Sequence, residues 1–468
     1  VISRRGFLEA GVIGAIGQSL LPAQACARTS PPRDAVHLRI APLALELAPG
    51  VIVATTAYNG SVPGPTIRLR KGRSTTVVVE NATGIGELVH WHGLEIPSVV
   101  DGAMEEGTPP VAPRSRRRYD FAPAPGGAHW YHTHVMGGAD LSVGTYTGQF
   151  GFVIVEDGSD AGAHDQEVLL AMHHWNPRWV SGRTTRPRDP AHGLEVAYEF
   201  ATINGRLYGH DQPIKVRMGQ RVLFRFLNAS ATEITWTALA GHTLTVIAMD
   251  GRRIPQHRSI DVLMLGPGER ADVIVEMNNP GKWILGSALD SERAAGMAVV
   301  VEYAGARGEP VWRPVKRSWD YLSFGTDGPA AAPDERIELA IGRVPGGEHG
   351  HNRWTLNGRS WPDTERIRVQ RGKRYRLVFR NETDHGHPMH LHRHGFEVAS
   401  YRGRLSSGLF KDTINVMPDS VAELDFVADH PGPTLIHCHQ AKHQDMGLMA
   451  LVLYDGDTEP QAAHHAGQ

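Results

Sequence analysis

Apolar residues alternate with polar ones at Ile67 and Leu69, at Ile214 and Val216, and at Ile367 and Val369. That is the period-two pattern of a half-buried strand. Each run sits inside the same longer string. An Asn-Gly pair precedes it (Asn59-Gly60, Asn204-Gly205, Asn357-Gly358), and a glycine follows it (Gly72, Gly219, Gly372). A second apolar strand then leads to Asn81-Ala82-Thr83, Asn228-Ala229-Ser230 or Asn381-Glu382-Thr383, and the Gly-to-Asn distance is identical in all three copies. Asn-Gly beside alternating apolar runs predicts a tight hairpin. Each copy also closes on an apolar run: Gly151-Phe152-Val153-Ile154-Val155, Ala298-Val299-Val300-Val301 and Leu451-Val452-Leu453-Tyr454. Few windows sustain the i, i+3, i+4 spacing of a helix. The chain is therefore read as all-β with minor helix, in three repeats of one β-sandwich unit.

The expected domains are 36–160, 161–310 and 335–456, with a Pro-, Gly- and Ala-rich linker at 311–334 and a tail at 457–468. At roughly 150 residues per domain, 468 residues give about the same number. The three Asn-x-Ser/Thr triplets match glycosylation sequons, but their fixed place in the repeat favours a structural turn.

Residues 1–35 read as an address. Ser3-Arg4-Arg5-Gly6-Phe7-Leu8 is a charged start, Ala10 to Leu21 a short apolar stretch, and Ala23-Gln24-Ala25 a cleavage site. The apolar stretch falls short of the roughly 20 residues that span a bilayer. Twin arginines before Gly-Phe-Leu resemble a twin-arginine export signal, so a periplasmic location is expected. Cys26 follows the cleavage site directly; anchoring there as a lipoprotein is the lesser alternative, since Ala-Gln-Ala is a poor lipobox.

Composition narrows the chemistry. A net charge of −2 argues against a general nucleic-acid binder. Two cysteines, Cys26 and Cys438, exclude a disulfide framework, whereas 26 histidines raise the question of metal binding. Ten of them fall in four clusters. These are His90-Trp91-His92, His132-Thr133-His134, His387-Pro388-Met389-His390-Leu391-His392, and His437-Cys438-His439 with His443. The first two clusters lie in the first repeat and the last two in the third. The second repeat reads Ala-Ser-Ala-Thr-Glu-Ile after Asn228 and has none.

On a strand, residues i and i+2 share a face. Each His-x-His thus presents two imidazoles to one site. In His437-Cys438-His439 the imidazoles face one way and the thiol the other, so one strand serves two sites. One Cys with two His is the blue-copper donor set, and Cys438, His443 and His387 fit it. The remaining eight histidines suit two or three further copper ions. Zinc is the alternative, but a structural zinc site takes only four ligands.

These motifs resemble the four copper-binding signatures of three-domain multicopper oxidases, the family of laccases and bacterial copper-tolerance oxidases. The resemblance spans the chain after its export segment. It implies three cupredoxin-like, Greek-key β-sandwich domains and four copper ions. His387, Cys438 and His443 would hold the type 1 copper. His90 and His390 would hold the type 2 copper. The type 3 pair would be held by His92, His132 and His439 on one side and His134, His392 and His437 on the other. The implied reaction is four one-electron oxidations of a reductant coupled to reduction of dioxygen to two waters. Electrons would pass through Cys438 to His437 and His439, the metals carrying the hard step. The second domain would be a spacer that shapes substrate approach.

Reduction of dioxygen consumes four protons. Asp101, in Val100-Asp101-Gly102, matches the family's acid near the type 2 copper; a plain turn aspartate is the alternative reading. After His443 many bacterial relatives carry Glu. Here Gln444 stands, followed by Asp445 as the candidate substitute. The axial position of the type 1 site falls on Leu448, so three-coordinate copper is expected, with Met446 and Met449 bracketing it. Twelve methionines and no Met-rich insert favour laccase-like oxidation of phenols or aromatic amines over oxidation of Cu(I), Fe(II) or Mn(II). A copper nitrite reductase lacks the eight-histidine set, and a copper-free relative would have lost ligands. A monomer is favoured. His394 is read as packing beside the third cluster, and His385 with Asp384 as either the type 1 edge or a solvated turn. Arg114 to Arg118 reads as a solvated face. His173, His174, His242 and His464-His465 are assigned nothing.

Overall fold

In the computed structural model, which describes residues 35–460 except 139, 159–161, 178–184, 190–192 and 347–349, the Asn-Gly pairs turn the chain as their composition predicts. Asn59 and Gly60 have φ of 51° and 72°, Asn204 and Gly205 51° and 72°, Asn357 and Gly358 50° and 77°. Two successive positive φ values match the twist of the flanking strands. Each asparagine side chain then ties the turn to a neighbouring strand. Asn59 Oδ1 accepts from Arg39 N, Asn204 Oδ1 from Ala171 N, and Asn357 Oδ1 from Ala340 N. The segment read as an export signal, with Cys26, and the pair His464-His465 lie outside the described residues.

The second asparagine of each repeat is buried and fully engaged. Asn81 Nδ2 donates to the carbonyls of Ile85 and Val111, Asn228 Nδ2 to Glu233 and Leu265, and Asn381 Nδ2 to His385 and Val416. Their Oδ1 atoms accept from the backbone of Thr83, Ser230 and Thr383. The triplets are turn devices, as their placement suggests, and their amide nitrogens are committed.

All three repeats build the same sheet. In the first, Ile67–Arg70 runs parallel to Phe150–Glu156, which pairs antiparallel with Gly127–Thr133 and so with Val89–His90. In the third, Ile367–Val369, Met449–Tyr454, Thr434–Cys438 and His387–Leu391 repeat that order. In the second, Ile214–Val216, Ala298–Tyr303, Lys282–Ser287 and Thr235–Leu239 do the same without a histidine. A second sheet covers each, built on Thr75–Asn81, Arg221–Asn228 or Arg374–Asn381. Helix among the described residues is confined to single turns such as Ser98–Asp101, Asp290–Ala294 and Ala441–Asp445. The architecture is all-β and cupredoxin-like.

The second and third repeats share one apolar core, into which the 311–334 stretch inserts Tyr321, Leu322 and Phe324. The first repeat keeps its own core around Leu38, Val77, Val79, Trp91 and Tyr119. A further cluster joins Trp130, Phe150 and Phe152 to Trp175 and Leu227 of the second repeat. Each fully buried aliphatic or aromatic side chain contributes about 1.5–3 kcal/mol. These joints hold the first and third repeats so that their histidine-bearing sheets face one another.

Candidate metal centres

Cys438 ends the strand Thr434–Cys438 and His387 begins its neighbour, while His443 sits on the five-residue helix Ala441–Asp445. The three donor atoms converge. Cys438 Sγ lies 3.7 Å from His387 Nδ1 and 3.6 Å from His443 Nδ1, and the two nitrogens are 3.0 Å apart. All three side chains are buried. Thr383 Oγ1 gives its proton to Asn381 Oδ1 and lies 2.8 Å from His387 Nε2. The hydroxyl must therefore accept from Nε2–H, which leaves the His387 Nδ1 lone pair facing the sulfur. Burial lowers both imidazoles well below the usual histidine range and pushes the thiol up, against the pull of the Gln440 N–H. Neutral imidazoles and a thiol that only a bound cation would ionise suit a soft metal.

The other eight histidines gather where the two sheets meet. His90 lies opposite His132 on adjacent strands, and His390 opposite His437. Across the interface His92 stacks on His390 at 3.7 Å and His90 on His392 at 4.0 Å. His134 stands 5.3 Å from His437 and 5.0 Å from His392, and His132 stands 5.1 Å from His439, ring to ring. Donor atoms of His134, His392 and His437 converge, as do those of His90, His390 and His392 and those of His90, His92 and His132. Every residue expected from the sequence as a metal ligand is in one of the two pockets.

The ring orientations are fixed from outside. Nδ1 of His132, His390 and His437 donates to the carbonyls of Thr133, Asp412 and Cys438. Nδ1 of His90 and of His392 donates to Asp101. All five therefore turn a lone pair inward at Nε2. Two such pairs of nitrogens face each other directly, His90 with His390 at 3.4 Å and His392 with His437 at 3.0 Å. His92 is reversed: its Nε2 lies 3.0 Å from Asp412 Oδ1, and its Nδ1 is left inward. His92 Nδ1 and the Nε2 atoms of His132, His134 and His439 are buried without a hydrogen-bond partner. Buried polar atoms normally have partners. A set of inward lone pairs, four of them orphaned, fits metal cations.

Burial lowers His92, His132, His134, His390 and His437 well below the usual histidine range, and brings His392 to about 4 and His439 to about 3. His90 is the exception. Burial would lower it too, but the Asp101 carboxylate outweighs that effect and holds it raised.

Asp101 closes the helix Ser98–Asp101 and is fully buried. Its Oδ2 takes both His90 Nδ1, at 3.0 Å, and His392 Nδ1, at 2.8 Å. Gly102 has φ 112°, and a Cβ there would lie 2.1 Å from Val89 O, so the turn requires glycine. Two further carboxylates escaped the sequence reading. Glu106 Oε1 accepts from Leu435 N and lies 3.4 Å from His392 Nδ1; burial and the nearby Asp101 charge raise it to about 7. Burial would raise Asp412, but Arg270 holds it below the usual range through two bonds of 2.7 and 2.6 Å. Arg270 belongs to the second repeat. That repeat has no ligand, yet it is more than a spacer, since it orients His92 through Asp412. The available signal was a Lys-Asp-Thr polar run inside an apolar strand context at 411–413.

Asp445 does not stand free. Its Oδ2 accepts from Gly137 N and Gly138 N at 3.0 and 2.9 Å, and burial raises it to about 7. Leu448 is buried in the apolar cluster that holds Cys438, whereas Met449 packs on the other side of the sheet with Leu435 and Leu451. His385 and Trp354 flank His443, with ring distances of 5.6 and 4.0 Å, and Asp384 pairs with Arg343. His394 is held between His392 O and Tyr454 OH. His173, His174 and His242 bond to Ala229 O, Ser230 Oγ and Ala240 O. Arg116 and Arg118 pair with Glu80 and Asp120 on an open face.

Three domain models described as multicopper oxidase match residues 44–160, 169–304 and 341–457. The chain is 30% identical over 500 residues to multicopper oxidase MmcO of Mycobacterium tuberculosis, covering 97% of this chain and 96% of that one. It is 26% identical to laccase-2 of Botryotinia fuckeliana, over 85% and 78% of the two chains. The crystal structure of Fet3p, described as a multicopper oxidase that functions in iron import, superposes with a TM-score of 0.78 at 19% identity, over 90% of each chain. Matches of this extent, on a chain whose two pockets carry the expected donors, make it a member of the multicopper oxidase family, copper-dependent oxidoreductases that use dioxygen.

Proposed function

We propose that this oxidase is laccase-like. It takes single electrons from phenols or aromatic amines and reduces dioxygen to water with four coppers. His387, Cys438 and His443 form the entry site. His90 and His390 hold the type 2 ion. His92, His132 and His439, with His134, His392 and His437, hold the type 3 pair. One observation carries the copper assignment: buried imidazole lone pairs of His90 and His390, and of His392 and His437, face each other at 3.4 and 3.0 Å, an arrangement that is repulsive unless cations lie between them.

Bound copper would store electrons one at a time and release four together to dioxygen. The chain supplies the rest. Cys438 is bonded through the main chain to His437 and His439, so one strand links the two pockets. Thr383 holds the His387 ring. Asp101 Oδ2 spans His90 and His392, and its Oδ1, buried without a hydrogen-bond partner, is the oxygen left to take and deliver a proton. His443 is buried between Trp354 and His385, and in this reading an aromatic reductant would pass its electron toward that edge without touching the copper. The absence of a Met-rich insert supports organic over metal substrates. The start of the chain, with Arg4-Arg5 and Ala23-Gln24-Ala25, supports export by the twin-arginine route to the periplasm.

The test is oxygen uptake by copper-loaded protein across a panel of reductants. Turnover of phenols and aromatic amines above that of Cu(I), Fe(II) and Mn(II) is expected. A preference for a metal ion would make the protein a metallo-oxidase.

A further inference from the structure

The helix that carries His443 cannot hold its own position. Ala441–Asp445 is a little over one turn, and its N-terminal Gln440 makes no side-chain cap. So short a helix has no stability of its own. Its own repeat holds its two ends, Gln440 Nε2 donating to Gly386 O and Met446 O accepting from Trp354 N, and further anchors come from the other repeats. Ala441 N donates to Ala231 O at 2.8 Å. Lys442, which is buried, donates from Nζ to Gly138 O at 2.7 Å. Asp445 Oδ2 accepts from Gly137 N and Gly138 N.

Gly137 and Gly138 follow His134 by three and four residues. Their successive N–H groups converge on one carboxylate oxygen, the arrangement of a backbone anion nest. Gly138 has φ 55°, and a Cβ on Gly137 would lie 2.7 Å from Asp140 O, so the nest needs both glycines. The helix of one pocket is thus bolted to the loop that leaves the other. A cavity of about 10 Å³ separates them, lined by His132, His134, Tyr146, Gln444 and Asp445. It has room for about one water.

We infer that Asp445 and Lys442 form a clamp between the first and third repeats that fixes His443 relative to His134, with Asp445 acting as a positioning residue. Its place beside Gln444 invites assignment as a proton carrier instead. The contacts the structure gives Asp445 are those of an anchor: Oδ2 is engaged as an acceptor by both glycine N–H groups. An amide oxygen would serve them equally well.

The inference rests on reading His443 and His134 as copper ligands. Its test compares full-length, copper-loaded Asp445→Asn and Asp445→Ala with the natural protein. The asparagine variant should keep the visible spectrum, the melting temperature of the metal-free protein and turnover within about twofold at every pH, whereas the alanine variant should lose about tenfold or more in turnover. The alanine variant should also shift the thiolate–copper absorption and melt earlier without metal. An asparagine variant as slow as the alanine variant, both with an unshifted spectrum, would make Asp445 a proton carrier and overturn the clamp. An alanine variant indistinguishable from the natural protein would overturn it too. Should the alanine variant fail to fold, the asparagine variant decides alone by the same criteria. A copper count below four in the natural protein breaks the ligand reading, whereas a full count with a slow asparagine variant breaks only the clamp.

Discussion

The two pockets lie on opposite faces of one strand and are built by opposite rules. Around His387, Cys438 and His443 the packing is apolar and aromatic, with Leu448 and Trp354 against the donors. Among the described residues, no ion pair joins either histidine to a carboxylate. The eight-histidine cluster is instead ringed by Asp101, Glu106 and Asp412, all buried and all within hydrogen-bonding or ion-pair distance of a histidine. The difference follows from the two half-reactions. Accepting an electron asks for a rigid, dry site whose potential is set by its donors. Reducing dioxygen consumes protons, and these need acids at hand.

The largest effect is expected at the residue that links the two pockets through the main chain. Cys438→Ser should abolish the intense blue absorption and oxidase activity together, with the fold kept, because a hydroxyl is too hard a donor for this site. A variant that stays blue would remove Cys438 from the ligand set. Next, Asp101→Asn should slow oxygen reduction by about 100-fold or more, the scale of general acid–base catalysis. Reduction of the Cys438 site by substrate under anaerobic conditions should be unchanged, and equal slowing of both half-reactions in stopped flow would erase the contrast between the pockets.

The third concerns the second repeat. Arg270→Met takes the guanidinium from buried Asp412, leaving it only the neutral partners His92 and Thr413 Oγ1, which should cost about 3–5 kcal/mol in chemical denaturation. The double change Arg270→Met with Asp412→Leu should recover part of that loss; no recovery would mean that the two do not act as a pair. The smallest effect is expected at the entry site. Leu448→Met should lower the redox potential of the blue copper, because a thioether stabilises Cu(II), and an unchanged potential in a redox titration would place Leu448 away from the axial position.

The convergence of the candidate ligands was legible because strand geometry converts a spacing of two into a shared face, and because each cluster lies at a fixed place in a repeated unit. The Asn-Gly turns and the buried asparagines were legible for the same reason. Glu106, Asp412 and Arg270 were not. They come from different repeats and meet only when the sheets close on each other, so no local spacing marks them. Thr383 was visible only as part of a turn triplet. Its bond to His387 depends on how the strand leaves that turn. Asp445 shows the limit most sharply: its neighbourhood to Gln444 suggested one chemistry, and the direction of its side chain toward Gly137 and Gly138 supports another.

In the proposed reading both pockets hold copper, so elemental analysis of the fully loaded protein tests the account most directly. Four coppers per chain are expected, with three retained in Cys438→Ser. One or two coppers in the natural protein, or zinc in their place, would contradict it.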